Sequence, residues 1–238
     1  MSGGVIVVLS VNEPIKIDVW SDIACPWCYI GNRNFESGLA VAAQSADAPV
    51  VEVTYHSYEL SPDTPVDFDG SEIDFLAGHK GMPAEQVKQM LENVTGVAAN
   101  AGLEYNFDIL KHTNTVKAHE LLHFAKEQGV QPEMMERLMR AYFTEGSHVG
   151  GVEDLAVLAS EVGLDADATR EALTSGRFTA AVRADQAQAQ AYGINGVPFF
   201  VIDGKYGVSG AQPAEAFTQI LQQVWEERGT AASEPEMA

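Results

Sequence analysis

The chain has 238 residues, 46% of them apolar, and 14 basic against 34 acidic side chains give a formal charge of −20. That length and apolar content support a sizeable core without disulfide staples, and the charge excludes nucleic acid and anionic membrane as expected partners, since both are polyanions. No stretch approaches the roughly 18 consecutive apolar residues of a membrane span, and two cysteines are too few for a secreted disulfide framework, so a cytoplasmic location is expected.

Residues 1–11 carry the apolar run Val5-Ile6-Val7-Val8-Leu9 with no basic residue before it and no clear cleavage pattern after it. The segment reads as a loose tail or an edge strand rather than a secretion signal. Ile15-Lys16-Ile17-Asp18-Val19-Trp20 then alternates apolar and polar residues at its start, as a strand does, and runs into a Ser-Asp pair before Cys25. The cysteines open a helix that continues over 29–43, with Ile30, Phe35 and Leu39 among its apolar positions and Pro49 at its exit. Residues 50–58 form a second strand, so the opening is β-α-β with a crossover long enough for a parallel pair.

From 61 to 194 the pattern turns helical, punctuated by Pro62, Pro65 and a series of glycines. Stripes at Ala118, Leu121, Leu122, Ala125 and at Leu155, Leu158, Ala159, Val162 follow the i, i+3, i+4, i+7 spacing of one helix face. Strand signals return at Pro198-Phe199-Phe200-Val201-Ile202, with a turn at Asp203-Gly204-Lys205 and a return strand at Tyr206-Gly207-Val208. A last helix has Pro213 near its first turn, a stripe at Phe217, Ile220, Leu221, Val224, and Gly229 as its expected stop.

This order predicts an α/β chain: a thioredoxin-like fold with a large helical insertion domain. The expected parts are 14–62 and 195–228 for the sheet domain and 63–194 for the insertion, which should lie over the cysteine edge. Residues 1–13 and 229–238 are expected to be flexible tails.

The chemistry concentrates in Cys25-Pro26-Trp27-Cys28. A cysteine at a helix start meets unpaired backbone N–H groups and the positive end of the helix dipole, both of which favour thiolate. Cys25 is therefore the expected nucleophile, and Cys28, one turn later, the resolving thiol. Pro26 presets the helical φ without losing an N–H, and Trp27 offers an apolar surface beside the reactive sulfur. Because Trp27 lacks an ionisable imidazole, an intermediate potential is expected. A half zinc site completed by His119 and His123, or two inert buried cysteines, are the competing readings; a Pro-Trp spacer opening a helix directly after a strand favours redox chemistry, with no metal and no cofactor. Val197-Pro198 at the start of a strand is the second element: in thioredoxin folds a cis-proline loop at this point faces the cysteine pair, and the backbone of the residue before it, here Val197, can pair with an extended peptide.

The run from Ser21 to Gly31 resembles the active-site segment of the DsbA family, and specifically its FrnE-like branch. Further blocks agree: Tyr58-Glu59-Leu60-Ser61-Pro62-Asp63; 114–122, which includes Asn114 and His119; and 193–200 with 206–212. The resemblance spans about 15–225 and implies dithiol–disulfide exchange on protein or small-molecule thiols and disulfides, glutathione among them, by a monomer or homodimer. Members of the branch have been linked to polyketide biosynthesis and to oxidative-stress tolerance. Some relatives carry a second cysteine pair; this sequence has only two cysteines, so no relay through a second disulfide is expected.

The resemblance also exposes a departure. The family's buried carboxylate, six residues before the first cysteine, falls on Val19. Asp18 should point to the opposite face, and Asp22 reads as a turn or helix-start residue. Asn114 and His119 are candidate substrate contacts, although Asn114 has the chemistry of a helix cap and His119 reads first as a surface or capping residue. Trp20 and Tyr58 are expected core aromatics, and His56, His79, His112, His123 and His148 carry no interpretable motif. Two other functions remain: a glutathione-linked isomerase or transferase of the kappa-class type, and a peptide-binding module switched by oxidation of the cysteines.

Overall fold

The computed structural model describes residues 13–44 and 50–233, with side chains to residue 228. The apolar run 5–9, the expected helix exit at Pro49 and the residues beyond 233 lie outside the described residues.

Strand β1 (Ile15–Ser21) buries Ile15, Ile17 and Val19 on alternate positions and continues into the fully buried Trp20 and Ser21. Helix α1 (Pro26–Ala42) is the crossover that a parallel pairing with β2 (Val51–Ser57) requires, with Val19 opposite Tyr55. Strand β3 (Phe199–Ile202) pairs antiparallel with β1, Trp20 lying opposite Phe199, and β4 (Tyr206–Ser209) returns beside β3. Among the described residues the sheet order is β2-β1-β3-β4.

Between β2 and β3 the chain forms α2 (Glu72–Lys80), α3 (Ala84–Asn100), α4 (Val116–Glu127), α5 (Gln131–Phe143), α6 (Val152–Glu161), α7 (Ala166–Thr174) and α8 (Thr179–Ala191). The stripe residues Ala118, Leu121, Leu122 and Ala125 are buried, as are Leu155, Leu158 and Ala159, while Val162 is partly buried. Helix α2 starts where it does because Ser71 and Asp74 form a reciprocal capping box, and it stops at Gly81, whose φ of 62° suits glycine. The start places Glu72, in the first turn, inside the protein.

Helix α9 (Ala214–Ser233) lies on α1, burying Phe217, Leu221 and Val224. The contact is close: a Cβ on Gly38 would stand 2.5 Å from the Ala214 carbonyl oxygen. Gly229 does not stop this helix, which runs on to Ser233. A glycine inside a helix costs about 1 kcal/mol relative to alanine, but it ends one only by taking a left-handed or otherwise non-helical conformation.

One apolar cluster runs from the inner face of the sheet through α1 and α9 into α3, α4 and α5. Trp20 leads a second, smaller cluster with Ala189 and Ile194, against which the partly buried Tyr58 packs. The Trp20 indole N–H donates to the Asp185 carbonyl at 3.1 Å, and its ring stacks on His56 at 4.5 Å. Sheet and α8 are thereby tied together on the face away from the main core.

Candidate active site

Cys25 is the N-cap of α1, with extended backbone at φ −93° and ψ 112°, and Pro26 occupies the first helical turn. The turn entering the helix is closed by the Cys25 N–H on the Asp22 carbonyl, and the Cys28 N–H bonds the Cys25 carbonyl at 3.0 Å. Both cysteines carry free thiols; Cys28 is fully buried and Cys25 is 4% exposed. Position and burial thus separate the two sulfurs that the sequence places three residues apart.

One flank of Cys25 is formed by Val197 and Pro198, which are joined by a cis peptide bond. The Cys25 thiol points to the Val197 carbonyl oxygen at 3.7 Å. This loop is held against α1 at Gly31, where an added Cβ would lie 2.7 Å from Pro198 Cγ and 3.4 Å from the Ala211 backbone. No residue larger than glycine fits there without movement.

The other flank is open. Helices α2 and α3 stand over Cys25, Pro26 and the 45%-exposed Trp27, leaving a cavity of about 550 Å³. Its apolar wall includes Leu60, Phe75, Leu76, Met90, Val94 and Phe107. The Tyr105 hydroxyl donates to the Pro26 carbonyl at 2.6 Å, pinning the first turn of α1 to the segment that follows α3. Burial, followed by the nearby Cys25, pushes the Tyr105 phenol well above its ordinary range, so it acts as a donor and not as a base.

The Cys28 thiol is also pushed up, first by burial and then by its contact with Cys25. The Ser21 hydroxyl and the Asp22 amide oppose that shift by hydrogen bonding to the sulfur. The fully buried Ser21 Oγ has no other hydrogen-bond partner among the described residues, which leaves the Cys28 thiol as the group it acts on. Val19 fills the core where the family carries an acid, and Asp18 lies on the other face of β1, bonded to His56. Sequence reasoning searched here for a carboxylate and missed a hydroxyl two residues further along the strand.

Asp22 is a turn residue, as expected, and also a clamp. One carboxylate oxygen accepts from the Ala24 amide at 3.3 Å and the other from the Leu60 amide at 2.8 Å. Burial pushes its carboxyl up, but His119, the Leu60 amide and the Thr115 hydroxyl outweigh it, and the net shift is downward. His119 is fully buried on α4, with Nε2 3.4 Å from the Asp22 carboxylate and out of line for a good hydrogen bond. This corrects the surface or capping reading: the fourth residue of α4 faces the β1–α1 turn because its neighbours on the helix supply the apolar stripe.

Asn114 accepts from the Val116 amide at the start of α4 and donates to the Pro62 carbonyl, both at 2.9 Å. Asn114 and His119 stand behind the cavity, whose wall is formed by their neighbours Thr113, Thr115 and Asp22. His123 bonds Asp185 at 3.1 Å, so His119 and His123 serve different carboxylates and do not converge on the cysteines.

A sheet of this order, carrying a paired-cysteine helix start opposite a cis proline and helices over the sulfurs, defines a thioredoxin-type protein with a helical excursion. The chain belongs to the DSBA-like thioredoxin domain family, whose model matches residues 16–222. It is 31% identical to YwbO of Bacillus subtilis over 211 residues, 87% of this chain and 96% of that protein. A probable DsbA oxidoreductase from Streptomyces coelicolor superposes with a TM-score of 0.83 at 39% identity, covering 94% of both chains. The cytosolic disulfide reductase DsbM of Pseudomonas aeruginosa, solved with glutathione, shares the fold alone, with a TM-score of 0.61 at 19% identity over 89% of this chain and 99% of that one. Family and close structural relative together identify a DsbA-like thiol–disulfide oxidoreductase.

Proposed function

We propose that the protein catalyses dithiol–disulfide exchange, including isomerisation, through Cys25-Pro26-Trp27-Cys28. The observation that carries this reading is the division of the two sulfurs: Cys25 stands at the α1 start between the Val197 carbonyl and the cavity, with Cys28 buried in contact behind it. The Cys25 thiolate attacks one sulfur of a substrate disulfide; the substrate S–S bond breaks and the departing thiolate takes up a proton. Cys28 then loses its proton and attacks the Cys25 sulfur, releasing the second substrate thiol and leaving a Cys25–Cys28 disulfide. The substrate gains two electrons and the protein loses two; oxidation of a substrate dithiol is the same path reversed. With burial and Cys25 holding the Cys28 proton in place, Ser21 and the Asp22 amide are the groups that receive the forming thiolate.

In this reading Trp27 and Pro26 present the cavity rim to substrate, and the Val197 and Pro198 backbone pairs with an extended chain. Asn114 and His119 act on substrate indirectly, by holding the 60–62 loop and Asp22. Residues 14–62 and 195–228 form the redox domain and 63–194 a substrate-covering insertion. A FrnE-like assignment fits the Cys25-Pro26-Trp27-Cys28 run and the blocks around Asn114 and Pro198. A cytoplasmic setting, with protein or small thiols such as glutathione as partners of a monomer or homodimer, accords with the charge of −20.

The test is equilibration over a series of reduced-to-oxidised glutathione ratios, alkylation of free thiols and localisation of the modified cysteines by mass. A reversible Cys25–Cys28 disulfide is the expected result, with a midpoint near about −120 mV marking an oxidase and near about −270 mV a reductant. Glutathione retained on Cys25 alone would overturn exchange in favour of a one-thiol, glutathione-linked reaction.

A further inference from the structure

The wall of the cavity farthest in sequence from the cysteines contains a buried carboxylate–imidazole pair that the exchange chemistry above does not use. Glu72, in the first turn of α2, and His112, in the segment before α4, are 7% and 5% exposed. His112 Nδ1 lies 2.7 Å from the Glu72 carboxylate, with the Tyr142 hydroxyl at 3.4 Å from the same nitrogen. Phe75 stacks on the imidazole with centroids 3.3 Å apart and 21° between planes. Ring, carboxylate and Phe75 all line the cavity that Cys25 lines.

The other buried polar side chains of that wall are committed to protein. Asp22 holds the Ala24 and Leu60 amides, Thr113 donates to the Val66 carbonyl at 2.6 Å, and Thr115 bonds Asp22. His112 Nε2 has no partner among the described residues. An imidazole whose orientation is fixed through one nitrogen, while the other is left for the cavity, is arranged to bind a ligand group, because a site that hydrogen-bonds its ligand discriminates strongly against ligands lacking the matching group. The rest of the buried lining is apolar, exposed polar side chains such as Lys80, Gln86 and Asn93 also border the cavity, and about 550 Å³ lies within the range of small-molecule pockets.

We propose that Glu72 and His112 are the polar anchor of the substrate cavity. Its occupant is a low-molecular-weight disulfide with an apolar or aromatic body and a hydrogen-bond acceptor, such as a carboxylate, at the end remote from sulfur. This rests on the exchange reading: the body lies between Phe75, Leu76, Met90 and Phe107, His112 Nε2 holds the acceptor, and the disulfide is delivered to Cys25. Electrons and atoms move as in the exchange step; the anchor contributes binding and orientation.

The test uses the full-length reduced protein and two probes followed by rapid mixing: dithiobis(nitrobenzoate), aromatic and carboxylate-bearing, and hydroxyethyl disulfide, which has neither an aromatic body nor a carboxylate. Removing both members of the pair together, as Glu72→Leu with His112→Phe, leaves neither of them buried without the other, at the cost of the Tyr142 hydroxyl's contact at 3.4 Å. The half-saturating concentration of the aromatic probe should rise about tenfold, the loss of one hydrogen bond to a charged group, with the limiting rate kept and the rate with hydroxyethyl disulfide within about twofold. Glu72→Gln with His112→Gln, which restores a side-chain N–H donor, should recover part of the affinity. An unchanged half-saturation, or equal loss with both probes in both double variants, would overturn the anchor and leave the pair structural. Failure of the unaltered protein to react with either probe would instead overturn the exchange reading on which the anchor depends.

Discussion

On the sheet side of Cys25, α1 and the Val197–Pro198 loop meet so closely at Gly31 that a single methyl group has no room; on the helix side, α2 and α3 stand back and leave a cavity. The packed flank fixes where the sulfur points, and the open flank gives a ligand somewhere to lie. The same contrast separates two histidine–carboxylate clusters. His56 is bonded at both nitrogens, to Asp18 and Asp185 at 2.8 Å each, and Asp185 also takes the Ser57 amide and His123. His112 is held by one nitrogen only. A closed cluster braces the fold, whereas an open one is available to a ligand.

The largest effect should come from the atom both flanks share. Cys25→Ser should reduce exchange to the uncatalysed background with every disulfide while the melting temperature stays near that of the parent, measured by insulin reduction and thermal unfolding. Next, Gly31→Val forces a side chain into the packed flank and should cost about 1–3 kcal/mol in denaturant unfolding, as overpacking does. A variant as stable as the parent would show that the flank yields, and the contrast between the two sides would fail.

The closed cluster makes a prediction about pH. Burial pushes the Asp185 carboxyl up, but His123, His56 and the Ser57 amide outweigh it and lower it well below 3.8, so its stabilisation is full above about pH 4 and fades as pH falls through the lowered value. Burial opposes charging of His56, yet Asp18 and Asp185 raise it above 6.5, so its stabilisation is full below about pH 6.5 and fades as pH rises through the raised value. The cluster therefore contributes most between about pH 4 and 6.5. Asp185→Asn should lose about 1–2 kcal/mol within that window and less on either side, read as the difference between two pH–stability curves. A difference independent of pH would remove the ionic part of the brace.

The smallest effect is expected at the rim. Trp27 is half exposed, so Trp27→Ala should change stability by less than about 0.5 kcal/mol. It should nevertheless slow reaction with apolar disulfides several-fold more than with hydroxyethyl disulfide. Equal slowing of both would assign Trp27 to the sulfur chemistry and not to the cavity.

Signals that lie close together in the chain were legible beforehand: the alternation of β1, the helix start at Cys25, the stripes of α4 and α6, and the Val197–Pro198 step before β3. Contacts between distant segments were not. His112 carries no motif, and its meaning comes from Glu72, forty residues earlier, and from Phe75 stacked on it. His119 read as superficial because helical spacing alone does not reveal that a second face of α4 is covered by the β1–α1 turn. Ser21 was overlooked because a hydroxyl in a strand usually has no chemistry; burial beneath Cys28 provides one. Gly229 misled for the converse reason, since a weak helix former was taken for a terminator.

The strand that brings Val197 to Cys25 is made late. Cys25 and Cys28 leave the ribosome with β1 and α1, and β3 follows only after the whole helical segment from α2 to α8 has been synthesised. Until β3 inserts beside β1, the nascent chain holds two cysteines with neither the carbonyl that faces one nor the completed core that buries the other. During that interval the dithiol lacks the carbonyl that faces it, and the surroundings that could select a substrate are complete only once β3 has paired with β1.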